Sequence, residues 1–142
     1  MRLLYFFIAF LFCQCVWTQT LQSTLVYEII HKAEKKKDLK CSDIYLLLSS
    51  YEDSSFRNDV EMSECRSEAI IHIMYDIDNL KRLLNVIKRN KKYQFVVMEE
   101  LRSPICELNE KSIVDNLQAI KGHRKLKSEM VQMLEQQNGS NF

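Results

Sequence analysis

Residues 63–89 read SECRSEAIIHIMYDIDNLKRLLNVIKR, and their apolar side chains recur with the period of an α-helix. Ser63 is a residue type that caps helices, and we predict that the first helix of this stretch begins there. Its buried stripe is predicted at Ala69, Ile70, Ile73, Met74 and Ile77. After a break at residues 76–79, a second stripe follows at Leu80, Leu83, Leu84 and Ile87, with Lys81, Arg82, Lys88 and Arg89 facing solvent. The stretch therefore predicts two consecutive amphipathic helices, or a single bent one.

An amphipathic pattern of the same kind lies upstream, over residues 20–36. Its predicted stripe consists of Leu21, Leu25, Ile29 and Ala33, with Val26 and Ile30 beside them. Residues 38–62 show no sustained helical period, so we expect a long connection there. Within it, the apolar run 44–48 fits either a buried strand or a helical turn.

Downstream, residues 93–98 are rich in β-forming residues and predict a short strand within a second long connection. Pro104 keeps the residue before it out of a helix. Asn109 can cap the last helix. The predicted stripe of that helix is Ile113, Leu117 and Ile120, followed by Leu126, Met130, Met133 and Leu134. Gly122 lies between the two halves of the stripe and predicts a local bend.

Two glycines and one proline in 142 residues exclude a β-sandwich or barrel, which needs a turn every ~8–12 residues. The same scarcity of glycine excludes a glycine-rich phosphate loop. The order of helix, long link, two helices, long link and helix is typical of bundles with two long crossovers. We therefore predict an all-α, short-chain four-helix bundle with up-up-down-down topology.

The chain begins with Met1 and Arg2, followed by eleven apolar residues at 3–13. This run is shorter than the ~20 residues that a membrane span requires, and it is typical of a secretory signal. Cleavage is possible after Cys15 or Thr18, and we favour Thr18. We therefore predict a signal peptide over residues 1–18 and one secreted, extracellular domain over residues 19–142, not inserted in a membrane. The alternative is an uncleaved membrane anchor.

The chain has 20 Lys and Arg against 19 Asp and Glu, a net charge of +1. This balance argues against a nucleic-acid partner bound by bulk electrostatics. Three cysteines, Cys41, Cys65 and Cys106, follow the predicted leader. In an oxidising compartment their odd number predicts one disulfide and one free thiol. Their spacing fits no zinc or redox motif, and no catalytic set stands out, so we predict no enzyme activity, cofactor or metal site.

Three blocks of the sequence resemble the interleukin-2, interleukin-15 and interleukin-21 cytokines of the common gamma chain family. Residues 59–69, DVEMSECRSEA, are similar to the start of the family's second helix, where an acidic stretch leads into a cysteine. Residues 105–107, ICE, and 110–118, EKSIVDNLQ, resemble the start of its last helix. Residues 25–30, LVYEII, are similar to the first-helix segment. The blocks occur in the family's order.

The chain departs from the family pattern at two cysteine positions. Interleukin-15 and interleukin-21 carry a second pair of cysteines, where this chain has His72 and Ser103. A single bridge is closer to the interleukin-2 pattern. The resemblance implies a bridge between Cys65 and Cys106, with pairings of Cys41 to either cysteine as the alternatives.

The resemblance implies a monomeric secreted cytokine that crosslinks a beta-type receptor chain and the common gamma chain, with an alpha-type chain as a further partner. Kinase-coupled signalling in immune cells would follow. Glu28 resembles the acidic residue that engages the beta-type chain, and Gln132 the glutamine that meets the gamma chain. Ungapped alignment from Leu117 and Gln118 instead assigns the gamma site to Lys125. Each of these residues also fits an ordinary solvated surface position.

Further candidates lie on the predicted surface. Glu52 and Asp53 belong to an acidic cluster in the region where the family binds its alpha-type chain, and a solvated loop is the alternative. Asn138 begins an N-glycosylation sequon. The basic run within residues 81–92 fits either a sulfated-glycan site or a solvated helix face.

Two other functions remain open at this point. One is a short-chain cytokine of the interleukin-4 and interleukin-13 type. The other is a secreted helical lipid carrier. Such carriers usually rely on four to six paired cysteines, so the three cysteines after the leader count against the second alternative.

Overall fold

A computed structural model of the chain describes residues 22–56 and 59–138, and these residues form no β-strand. They form seven α-helices: α1 (22–34), α2 (Cys41–Ser49), α3 (Val60–Met74), α4 (Ile77–Ile87), α5 (Lys91–Arg102), α6 (Glu110–Ala119) and α7 (Arg124–Asn138). The all-α prediction is thereby confirmed for the described part of the chain. The predicted leader, residues 1–18, lies outside it. Within the described ranges, no helix has the length and apolarity to span a bilayer.

The predicted pair of consecutive helices is present as α3 and α4, each begun by an aspartate. The Asp59 carboxylate accepts a hydrogen bond from the Met62 amide at 2.9 Å, and Asp76 accepts one from the Asn79 amide at 2.8 Å. The predicted cap at Ser63 is wrong, because Asp59 starts the helix a turn earlier. Ile77, predicted in the buried stripe, is 42% exposed, because the break at Asp76 makes it the first residue of α4.

The apolar run at 44–48 lies in a helix, α2, and not in a strand. Ile44, Leu47 and Leu48 are fully buried at helical spacing. The long connection between α1 and α3 therefore contributes a helix to the core.

The predicted strand at residues 93–98 is wrong, because these residues lie in α5. The Asn90 side chain accepts hydrogen bonds from the amides of Lys92 and Tyr93 and so caps the helix. Tyr93, Val97 and Leu101 are buried at i, i+4 and i+8. Burial on one helical stripe thus overrides the β-propensity of the individual residues.

The predicted cap of the last helix at Asn109 is confirmed, since its side chain accepts a hydrogen bond from the Ser112 amide at 3.1 Å. The predicted bend at Gly122 is a chain reversal that separates α6 from α7. Gly122 has φ +87°, a conformation that favours glycine, and His123 follows with φ +52°. Leu117 of α6 therefore lines the same cleft as Val131 of α7, which a continuous helix could not achieve.

Helices α5 and α7 lie side by side and run in the same direction. Lys91 near the start of α5 shares a cleft with Arg124 at the start of α7. Met98, further along α5, shares another cleft with Met133, further along α7.

One apolar cluster, supplied by all seven helices, forms the core. In α1 the buried side chains are Val26, Ile29, Ile30 and Ala33. Leu25, predicted to be buried with them, is 41% exposed. The buried stripe is centred on Val26 and Ala33, on the side of Ile29 that faces away from Leu25.

A buried polar network joins α3 to α5 and to the end of α2. The guanidinium of Arg66, only 5% exposed, donates to the Ser50 carbonyl at 2.7 Å and stands 4.4 Å from the centre of the Tyr51 ring. The Tyr51 hydroxyl donates to Glu100 at 3.0 Å, and the Ser67 hydroxyl donates to the other oxygen of the same carboxylate. Burial, followed by the charge of Glu100, raises the pKa of Tyr51. The network fixes the middle of α3 against the end of α2 and against α5.

Candidate functional site

Glu28 lies on the solvent face of α1, between two exposed apolar side chains. Its neighbours Ile29 and Ile30 are buried, so the helix directs Glu28 away from the core. Leu25, one turn earlier, is 41% exposed, and Tyr27 is 44% exposed. Such a carboxylate can make a charge-assisted hydrogen bond to a partner while the apolar side chains exclude water. The exposure of Leu25 and Tyr27 was not predicted from the sequence.

The residues beside this α1 surface are acidic. We use "acidic face" for Glu34, Asp59, Glu61, Glu64 and Glu68. Partial burial raises the pKa of the Tyr27 hydroxyl, and Asp59 and Glu61 add to the effect. The pKa of the Cys65 thiol is also raised, by burial and then by Glu61, Glu68, Glu34 and Glu64. Carboxylates from α1 and α3 therefore surround Cys65.

Cys106, like Cys65, has Glu68 as a charged neighbour. Burial raises the pKa of the Cys106 thiol, and Glu68 raises it further. Glu68 therefore acts on both thiols, and both side chains are half-buried against the core. Cys41 is exposed at the start of α2. All three are free thiols in the structure, and the Cys65–Cys106 bridge stays a prediction.

Glu52 and Asp53 follow α2, and their side chains differ in exposure. The exposed Glu52 carboxylate lies 3.6 Å from the ammonium of Lys92 in α5. It also contributes to raising the pKa of Tyr93 to about 12, after burial and the neighbouring Tyr45. Asp53 is half-buried, and its carbonyl accepts a hydrogen bond from the Phe56 amide. The predicted acidic cluster is thus divided, with Glu52 turned toward α5 and the acidic face grouped around Cys65.

The two gamma-chain candidates, Lys125 and Gln132, share one face of α7. They are seven residues apart, about two helical turns, and both are exposed. Gln132 lies between a cleft of about 500 Å³ toward α6 and one of about 270 Å³ toward Met98 of α5. Lys125 lies near the start of α7, with its ammonium 4.0 Å from Glu129. Asn138 is the last residue of α7, and the rest of its sequon is outside the described residues.

No group of His, Cys, Asp and Glu side chains in residues 22–56 and 59–138 is arranged to hold a metal ion.

A second charged region, at the junction of α6 and α7, was not predicted from the sequence. Its signal is the run KGHRKLK at 121–127, which contains no acidic residue.

Comparison with models of known protein families, with curated proteins and with solved structures gives no match to this chain.

Proposed function

We propose that the protein is a secreted helical cytokine of the interleukin-2, interleukin-15 and interleukin-21 type. It acts by binding alone, holding a beta-type and a common gamma receptor chain together so that their associated kinases signal in immune cells. The observation that carries the proposal is the α1 surface, where an exposed Glu28 stands between exposed Leu25 and Tyr27. Apolar side chains around a polar anchor are the usual composition of a protein interface centre.

We further propose an up-up-down-down bundle in which α1, α3, α5 and α7 are the four main helices. The parallel arrangement of α5 and α7 supports this topology, because the last two helices of such a bundle run in the same direction. In this assignment α2 lies in the first crossover and α6 in the second. Helix α4, which the sequence predicts as the third main helix, is in this assignment an additional helix between α3 and α5.

The chain reversal at Gly122 bears on the choice between Gln132 and Lys125. The alignment that gives Lys125 extends without a gap from Leu117 through the reversal, as if α6 and α7 were one helix. Because Gln132 lies farther along α7, between two clefts, we propose it as the contact with the gamma chain. The acidic face is the proposed surface for an alpha-type chain with a basic binding site.

Charge reversal at Glu28 tests the proposal directly. The secreted protein and its Glu28→Lys variant are measured for binding to immobilised beta-type and gamma-type receptor ectodomains. Asp115→Lys, an equally exposed charge reversal on α6, is the matched control. We expect Glu28→Lys to lose the beta-type chain with unchanged helicity, and Asp115→Lys to bind like the parent. Equal binding by folded parent and Glu28→Lys proteins would overturn the assignment of Glu28.

A further inference from the structure

Two basic runs that are distant in the sequence meet at one end of the molecule. The first is KRNKK at 88–92, between α4 and α5, and the second is KGHRKLK at 121–127, between α6 and α7. A cleft of about 300 Å³ is lined by Lys88 and Lys91 from the first run and by His123, Arg124 and Lys125 from the second. We call it the basic cleft.

The charge at the basic cleft is concentrated, and two cations of its runs have a carboxylate nearby: Lys92 lies 3.6 Å from Glu52, and Lys125 lies near Glu129. The two runs hold eight of the chain's 20 lysines and arginines and no acidic residue. Among the described residues that line the cleft, Glu129 is the one carboxylate, and it lies 4.0 Å from Lys125. The pKa of His123 is lowered by burial and then by Lys88 and Lys127, which shows that cations of both runs act on the same point.

Lys91, Lys92, Arg124 and Lys125 lie in the first turns of α5 and α7, where a helix dipole disfavours cations, whereas Lys88 lies at the end of α4, where the dipole favours one. The N-terminus of a helix carries partial positive charge, so acidic residues are stabilising there. Helices α2, α3, α4 and α6 follow this rule with Asp43, Glu61, Asp78 and Glu110 in their first turns. Helices α5 and α7 have no acidic residue in the first turn and begin with Lys91 and Arg124. Both of these cationic helix starts open onto the basic cleft, so the charge that they bring to it is not explained by helix stability.

We propose that the basic cleft docks a sulfated glycosaminoglycan chain of the cell surface or matrix. A linear polymer with repeated sulfate groups can contact cations on two separate segments at once, and each contact releases counterions. Among the described lining residues there is no Phe, Tyr or Trp, so His123 is the one ring there on which a nucleic-acid base could stack. Its one apolar lining residue, Leu126, is buried, so the cleft offers no apolar anchor for a lipid surface. The inference rests on the secretion of the proposed cytokine and is independent of its receptors.

Heparin affinity chromatography of the purified chain tests this inference. The test variant combines Lys88→Gln, Lys91→Gln and Arg124→Gln and leaves Lys125, a receptor candidate, unchanged. The control combines Lys35→Gln, Lys37→Gln and Lys111→Gln, which remove the same charge from exposed positions elsewhere. We expect the parent and the control to elute together, and the test variant to lose about 10- to 100-fold in affinity at physiological salt.

The salt dependence of heparin binding provides a second readout. Loss of three ionic contacts should lower the slope of log affinity against log salt by about 2, as for other polyanions. Equal losses in the test variant and the control would overturn the site. Tighter binding to anionic phospholipid vesicles or to RNA than to heparin would overturn the choice of ligand. Receptor binding by the test variant is measured in parallel, because failure of heparin binding with intact receptor binding refutes this inference alone.

Discussion

The acidic face around Cys65 and the basic cleft around His123 carry opposite charge, although the whole chain is nearly neutral. Burial is the main cause of the pKa shifts in both regions; carboxylates add to the rise for the Cys65 thiol, and lysines add to the decrease for the His123 imidazole. The acidic face is built from α1 and α3, and the basic cleft from the ends of α4 to α7. The net charge of +1 therefore does not indicate whether the chain binds acidic or basic partners, because regions of both signs are present.

The largest expected effect concerns the bridge beside the acidic face. We predict that Cys65 and Cys106 are linked in the secreted protein, and that reduction lowers the free energy of unfolding by about 4 kcal/mol, because the bridge closes a long loop. Peptide mapping without reduction and urea unfolding provide the measurements. Cys41→Ser is the control and should change neither result. A stoichiometric bridge that includes Cys41 would contradict the assignment.

The second prediction concerns the α1 surface beside the acidic face. Glu28→Lys should weaken binding of the beta-type chain by roughly 2–5 kcal/mol, because one partner of a desolvated polar pair is lost and a repulsive charge is added. An ordinary surface glutamate would change stability by less than about 0.5 kcal/mol and affinity hardly at all. Surface plasmon resonance and circular dichroism together distinguish the two.

The third prediction is that Arg66, the buried cation of α3, stabilises the fold. Arg66→Ala should lower the free energy of unfolding by about 2–3 kcal/mol, because the Ser50 carbonyl loses a donor and the Tyr51 ring loses a packed neighbour. Lys88→Ala in the basic cleft should cost less than about 0.5 kcal/mol. Similar losses in the two variants, measured by urea unfolding, would remove the distinction between a supporting and an exposed cation.

The fourth prediction is a substitution that increases stability, whereas most substitutions decrease it. Lys91→Glu should raise stability by about 0.3–1 kcal/mol at low ionic strength, because it places an acidic residue at the start of α5. It should weaken heparin binding at the same time. Lys81→Glu, in the middle of α4, is the control and should show no gain. Thermal unfolding at low and high salt checks this result, and a gain that persists in high salt would contradict the dipole explanation.

The smallest expected effect is the titration of His123. Its folded-state pKa lies below the ordinary value of 6.5, so the unfolded chain binds more protons between these two values. The free energy of unfolding should therefore fall slightly as pH decreases from 6.5 toward the folded-state pKa. Well above 6.5 the imidazole is neutral in both states, so its titration no longer changes stability. NMR of the imidazole protons measures the pKa. It should rise in high salt and in Lys88→Gln, and an unchanged value would mean that the lysines do not act on this ring.

Much of the helical framework could be predicted, because local signals and burial agree. The stripe of α4 and the cap at Asn109 are examples. Local signals failed where two of them competed. Asp59 and Ser63 are both good caps four residues apart, and residues 93–98 favour strand by composition but helix by the spacing of their buried members.

The candidate surfaces were only partly predictable. Glu28 could be chosen from its sequence context, but the exposure of Leu25 depends on where the centre of the buried stripe falls. The basic cleft requires residues 88–92 and 121–127 to meet. That contact depends on the reversal at Gly122, which the sequence indicates only as a bend. Neither run contains a sequence pattern that predicts its proximity to the other run in the fold.

The two regions of opposite charge also allow copies of the molecule to attract one another. At low ionic strength the basic cleft of one copy attracts the acidic face of another, and such head-to-tail contacts grow into open chains wherever their rotation does not close a ring. Concentrated solutions should therefore become cloudy on removal of salt and clear again when salt screens the attraction. Salting-in of this kind would follow from the arrangement of the charges, at a net charge of only +1.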